Sequence, residues 1–190
     1  MKGSLLIFLA MLAAGCATQA SLPHPLDGQR RYLCCNLHYE GPKVADVNYQ
    51  QGALIPLGTP VTITEVRKNT VTFQPQGHQP MTAVLRHGRK AIDVDTFANR
   101  LFVEQDPKPK VARMNAKVRQ NVQSGVVEPG MTREQVLMAL GYPPAHRTPS
   151  LESPQWTYWQ NRWVSFVVWF EGDRVSRTDS LAPSRRTDAR

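Results

Sequence analysis

Cysteine offers the most chemistry in this chain, and two of its three cysteines are adjacent. Cys34-Cys35-Asn36-Leu37-His38 is the one cluster that could act as a thiol redox pair or lend ligands to a metal. Neighbouring residues on a strand point to opposite faces, so the two thiols are poorly placed to chelate one ion together. A disulfide between chain neighbours is also strained. With His38 the cluster falls short of the four ligands usual in a structural zinc site. The plainer expectation is one buried and one exposed cysteine, or an intermolecular disulfide in an oxidising compartment. A hydrolase would need a nucleophile, a base and an orienting group within reach of one another. His24, His78, His87 and His146 all stand in loop-like stretches near Pro or Gly, and no H-E-x-x-H, G-x-S-x-G or Gly-rich phosphate loop occurs. The expectation is a protein with no catalytic residues, no metal and no cofactor.

The third cysteine, Cys16, carries a different chemistry. Lys2 is the only charged side chain before Asp27, and Leu5 to Ala14 form an unbroken apolar run. That run is too short to span a bilayer, which takes about 20 residues, but it suits the apolar core of a secretory signal peptide. It ends in Ala13-Ala14-Gly15-Cys16, which resembles a lipobox. The resemblance implies that residues 1–15 are removed and that Cys16 becomes a mature N-terminus carrying palmitate-like acyl chains. Each buried CH₂ of such chains contributes about 0.8 kcal/mol to membrane binding. The alternative is an ordinary cleaved signal peptide with an incidental cysteine. Ala17, in place of the Asp that retains lipoproteins in the inner membrane, implies the outer membrane, with the body facing the periplasm.

The whole chain has a formal charge of +8, which falls to +7 when Lys2 is removed with the leader. Such a balance favours anionic lipid or acidic protein partners. Nucleic acid is not an expected partner of an exported chain. The basic residues are scattered except at the tail, where Arg185, Arg186 and Arg190 sit among Ser, Pro and Asp188 in what reads as a disordered segment, residues 181–190.

These groups must be carried by elements that the hydrophobic pattern outlines. Residues 16–31 read as a polar, lipidated tether. Residues 32–105 are β-rich: Tyr32 to Leu37 as one strand, Val61 to Val66 turning at Lys68-Asn69 into Thr70 to Phe73, then Met81 to Leu85, with a short helix over 93–101. Short strands broken by Gly and Pro suggest a small antiparallel barrel or roll. Asp106-Pro107-Lys108-Pro109-Lys110 reads as an extended, solvated linker. Beyond it, a helix over 111–124 has Met114, Val118 and Val122 on one stripe.

Glu128 to Pro144, E-P-G-M-T-R-E-Q-V-L-M-A-L-G-Y-P-P, describes a helix with both ends signalled. Thr132 caps it, Gln135 completes a capping box, Val136, Leu137 and Leu140 give an apolar face, and Gly141 in the left-handed conformation followed by Pro143 and Pro144 ends it. Three strands follow: Trp156 to Trp159, then Trp163 to Phe170 as the longest β run, then Arg174 to Thr178 after a Glu171-Gly172-Asp173 turn. On the middle strand Val164, Phe166, Val168 and Phe170 alternate with Trp163, Ser165, Val167 and Trp169. The first set reads as core. The second leaves two indoles and a valine where water is expected, which is either a partner-docking face centred on Trp163, Val167 and Trp169 or a face covered by the N-terminal module or by a loop of the same domain.

The string Pro-Gly-Met-Thr-x-x-x-Val-x-x-x-Leu-Gly-x-Pro, followed by Trp-Thr-Tyr and a strand ending Phe-Glu-Gly-Asp, resembles the SmpA/OmlA (BamE-like) domain of bacterial envelope lipoproteins over residues 111–180. The resemblance implies an α+β fold with two helices on a three-stranded antiparallel sheet. It also implies a non-catalytic scaffold that works in outer-membrane protein assembly or envelope integrity, with an envelope protein such as the β-barrel assembly machinery as partner and the membrane reached through the lipid. A second function stays open: a periplasmic module that recognises peptidoglycan or a peptide through residues 32–105.

Overall fold

The computed structural model describes residues 23–179. The expected signal peptide, Cys16 and the basic tail lie outside these residues. The described chain is mixed α+β: a curled six-stranded sheet, four helices and a three-stranded antiparallel sheet near the C-terminus.

The N-terminal half contains β1 (Arg30–Leu33), β2 (Leu37–Tyr39), β3 (Lys43–Ala45), β4 (Ala53–Ile55), β5 (Pro60–Arg67), β6 (Thr70–Pro75) and β7 (Met81–Val84), then α1 (Val94–Leu101) and β8 (Phe102–Val103). The large sheet runs β3-β7-β6-β5-β1-β8, and β2 pairs with β4 in a separate ribbon. Strict alternation builds it. In β5 the residues Val61 and Ile63 face inward, while Val71 and Phe73 do so from β6. Helix α1 is capped by the Asp93 carboxylate, which accepts from the Thr96 N–H at 2.7 Å, and turns Phe97 and Ala98 into the same core. The expected purely antiparallel roll is corrected at one place, since β3 and β7 pair in parallel.

A second correction concerns the strand expected over residues 32–37. It is interrupted: β1 stops at Leu33 and β2 begins at Leu37, with a bend between. Cys35, Asn36 and Leu37 are all buried. A strand alternates its faces, so three successive buried side chains require the chain to turn.

The C-terminal half contains α2 (Lys108–Ala112), α3 (Ala116–Ser124), α4 (Arg133–Leu140), β9 (Gln155–Trp159), β10 (Ser165–Glu171) and β11 (Arg174–Thr178). The Pro-Lys stretch read as an extended linker is helical from Lys108. Pro107 and Pro109 occupy the start of α2, where a fixed φ is already helical and a missing N–H costs nothing. The single helix expected over 111–124 is split. The Asn115 side chain accepts from the Val118 N–H at 2.9 Å and starts α3 afresh, as Asn does when its short amide competes with helix continuation.

Helix α4 has the expected reciprocal cap: Thr132 Oγ1 accepts from the Gln135 N–H at 3.3 Å, and Gln135 Oε1 accepts from the Thr132 N–H at 2.9 Å. Its approach is stitched to the sheet, because Gly130 N–H donates to Val175 O and Val175 N–H to Met131 O, each at 2.8 Å. Its end departs from expectation. Gly141 has φ 82° and ψ −177°, a region open to glycine but distinct from the left-handed helical one.

Sheet order is β11-β10-β9. Trp156, Tyr158, Phe166, Val168 and Phe170 face the helices, where they pack with Val122, Met131, Val136 and Leu140. Strand β10 begins two residues later than expected and β5 is longer. The Asn161 side-chain oxygen accepts from the N–H groups of both Trp163 (2.9 Å) and Val164 (3.0 Å). This turn chemistry draws those two residues out of the ladder, and Val164 is therefore half-buried and outside the core.

Candidate functional site

Two places in the fold are candidates, and they lie on either side of the C-terminal sheet. The first is its open face. Register places Val167 opposite Thr157, Ser165 opposite Trp159, and Trp169 between Gln155 and Arg177. Val167 and Trp169 are half-buried, and the Arg177 guanidinium lies 4.2 Å from the centre of the Trp169 ring. Trp163 stands at the turn, 80 % exposed, with the Arg162 guanidinium 4.7 Å from its ring centre. It is the sole large hydrophobic side chain so exposed among the described residues. The Trp159 edge is covered differently: its ring stacks on His146 at 5.6 Å, His146 neighbours His87 at 5.6 Å, and Trp159 O accepts from the Gln50 N–H. The N-terminal module therefore reaches one edge of this face and leaves Trp163 bare. Val167 and Trp169 share this face, whereas Trp163 stands outside the ladder in the turn before β10, and a cation lies over each of the two indoles.

The second place carries no sequence motif. Asn36, wholly buried, donates from its side-chain amide to Val122 O at 2.7 Å and to Ala139 O at 3.1 Å, while its oxygen accepts from the Leu57 N–H at 3.1 Å. Its backbone N–H donates to Met138 O. Asn48 donates to Asn36 O and to Leu140 O, and Gln50 also donates to Leu140 O. Three amides of the N-terminal half thus meet carbonyls in the last turns of α3 and α4, where the regular helical ladder runs out of donors. Helix C-termini carry partial negative charge, so donor groups are the right partners. The Tyr158 hydroxyl adds a bond to Gly141 O at 3.0 Å, and complete burial holds its phenol well above the ordinary tyrosine range. The one clue in the sequence is an asparagine lodged between the apolar residues Cys35 and Leu37.

Cys34 and Cys35 are bonded to each other, immediately before this clamp. This corrects the expectation of separate thiols on opposite strand faces. The chain bends here and is not a strand, so the two side chains can lie on the same side. Cys35 also helps to wall a shallow cleft with Leu37, Phe97, Leu101, Tyr142 and Pro143. Arg100 lies 5.2 Å from the Tyr142 ring centre at this cleft. Among the described residues no group of three or more His, Cys, Asp or Glu is placed to hold a metal ion, and no helix is long and apolar enough to cross a membrane.

His38, next to the clamp, has its imidazole held below the ordinary histidine range by burial, with a hydrogen bond to the Gln51 backbone pulling weakly the other way. Its Nδ1 is buried and has no hydrogen-bond partner among the described residues. The folded state therefore prefers neutral His38. Stability from this group is complete above the unfolded value, about 6.5, and is lost as pH falls through it toward the lowered folded value. Urea midpoints measured at pH 7.5 and 5.5 should fall toward the acid side, and the drop should shrink in His38→Gln. An equal drop in both proteins would show that other groups carry it.

Compared with protein-family models, curated proteins and solved structures, the chain matches none.

Proposed function

We propose that this chain is a non-catalytic lipoprotein of the outer membrane, anchored through Cys16, whose body in the periplasm serves as a protein-binding scaffold. Its C-terminal half is read as a BamE-like domain. The observation that carries the reading is the indole of Trp163, 80 % exposed at the turn into β10, whose Val167 and Trp169 alternate with the buried Phe166, Val168 and Phe170. A sheet covered on one face ordinarily turns polar residues to water on the other. Tryptophan beside arginine is instead the composition of interface centres. Arg162 and Arg177 favour a partner that frames an apolar patch with carboxylates. Work in outer-membrane protein assembly or envelope integrity follows from the motif resemblance over residues 111–180.

The test is crosslinking of the full-length protein in intact cells, with the captured proteins identified by mass spectrometry. Recovery of the barrel-assembly machinery, diminished by Trp163→Ala, is expected. Loss of an interface anchor of this kind costs about 2 kcal/mol or more, roughly 30-fold in affinity. The same substitution should move folding stability by no more than about 0.5 kcal/mol, as at other exposed positions. Undiminished capture by Trp163→Ala would move the interface elsewhere. Recovery of peptidoglycan fragments alone would replace the scaffold with a wall-binding module.

A further inference from the structure

We propose that the Cys34–Cys35 bond is a two-electron redox site whose substrate is a dithiol reductant, and that its oxidation state sets how firmly Asn36 clamps α3 and α4. The inference is independent of the partner proposed above and rests on where the bond sits.

A disulfide stabilises a fold chiefly by closing a loop in the unfolded chain, and the effect grows with loop length. Cys34 and Cys35 are separated by one peptide bond, so this bond closes the shortest loop possible and does the least for global stability. Its effect is local, on the turn between β1 and β2. That turn is held on both sides: Cys34 N–H donates to Leu101 O at 3.0 Å, and Asn36 N–H to Met138 O at 3.1 Å. One end belongs to α1 and the other to α4. The residue straight after the disulfide is the one whose side chain ties Val122, Ala139 and Leu57 together.

Access is unequal. Cys34 is partly exposed, whereas Cys35 is 3 % exposed and lies against Gly141 and the cleft. A dithiol therefore reaches the Cys34 sulfur first. Its thiolate forms a mixed disulfide with Cys34 Sγ as the Cys34–Cys35 bond breaks, and Cys35 leaves as a thiolate that takes a proton from water. The second thiolate of the reductant then attacks its own sulfur in the mixed disulfide. Cys34 is released, takes up a proton, and the reductant departs as a cyclic disulfide. The protein gains two electrons and two protons, and the reductant loses them. Two thiols need more room than the bond they replace, because the sulfurs must separate to van der Waals contact. Cys34 and Cys35 share one short turn pinned to α1 and α4, so the separation of the sulfurs shifts the turn, and Asn36 shifts with it.

The experiment uses the full-length protein purified without reductant. Alkylation in denaturant should leave Cys34 and Cys35 unmodified at first, and should label both after the folded protein is treated briefly with dithiothreitol. Cys16 is followed on its own peptide. Hydrogen exchange of peptides covering residues 34–40 and 133–141 should then be about tenfold faster or more, with residues 165–178 unchanged. Oxidised glutathione should restore the slow rates, and Cys34→Ser/Cys35→Ser should exchange at the fast rate with or without dithiothreitol. Thiols that label without reductant, a bond that resists dithiothreitol in the folded protein, or exchange over 133–141 that ignores the redox state would each overturn the proposal. So would equal acceleration over 165–178, which would make the bond a general support instead of a control on the clamp.

Discussion

Asn36→Ala is expected to destabilise the protein by about 3–5 kcal/mol, more than most single truncations of a polar side chain. The side chain makes three hydrogen bonds in a wholly buried place. Removing it strips the Leu57 N–H of its acceptor. A buried group left unpaired costs about 1–3 kcal/mol. Val122 O keeps a bond from the Gly125 N–H at 3.2 Å, so its loss is smaller, and the small cavity adds to the total. For a chain of this size each kcal/mol lowers the melting temperature by about 2–4 °C, so thermal and urea denaturation should show a drop on the order of 10 °C. Asn36→Asp separates shape from chemistry. The new carboxylate can only accept, and it would face two carbonyls at negatively polarised helix ends. That disfavours the charged form, so the folded Asn36→Asp variant would bind its proton more tightly than the unfolded one and would regain stability as pH falls. A loss under about 1 kcal/mol for Asn36→Ala, no more than one ordinary hydrogen bond, would mean that the clamp is decoration.

Gly141→Ala should cost about 2–4 kcal/mol, and Gly125→Ala distinctly less. Both glycines end helices and both have positive φ, yet their surroundings differ. Gly125, at φ 67° and ψ 31°, is in the left-handed region, which other residues enter at a cost of about 1 kcal/mol, and an added Cβ would come no closer than 3.6 Å to its neighbours. Gly141, with ψ −177°, lies where essentially only glycine is found. Its added Cβ would stand 2.9 Å from Asn48 Nδ2, the nitrogen that donates to Leu140 O and Asn36 O. The substitution therefore strains the backbone and displaces a member of the clamp at once. Denaturation of the two variants side by side should separate them by about 1 kcal/mol or more, and equal losses would show that the amide network yields freely.

The features legible from residue order are those whose causes lie within a few positions. The capping box at Thr132 and Gln135 is a contact between positions three apart. The two faces of β10 follow from the alternation of Phe166, Val168 and Phe170 with Val167 and Trp169, and α1 follows from Asp93 and the spacing of Phe97. Local signals mislead where two are present. Pro107-Lys108-Pro109 suits an extended tether as well as a helix start, and Asn115 and Asn161 each intervene with a side-chain oxygen that competes for backbone N–H groups.

Residue order is thus enough to place α4 and the three strands of the C-terminal half and to say which face of the sheet is core, but not to find α2 or the break before α3. Backbone propensity and hydrophobic period act over short range, and both are written into neighbouring positions. Packing at long range settled the rest: that Cys34 and Cys35 join, that β3 lies parallel to β7, and that Asn36, Asn48 and Gln50 close the ends of helices lying 86 to 103 residues further along the chain. The open carbonyls of a helix end require donors, but nothing in that requirement says which distant segment supplies them. The folded chain supplies them from a turn that only packing could bring there.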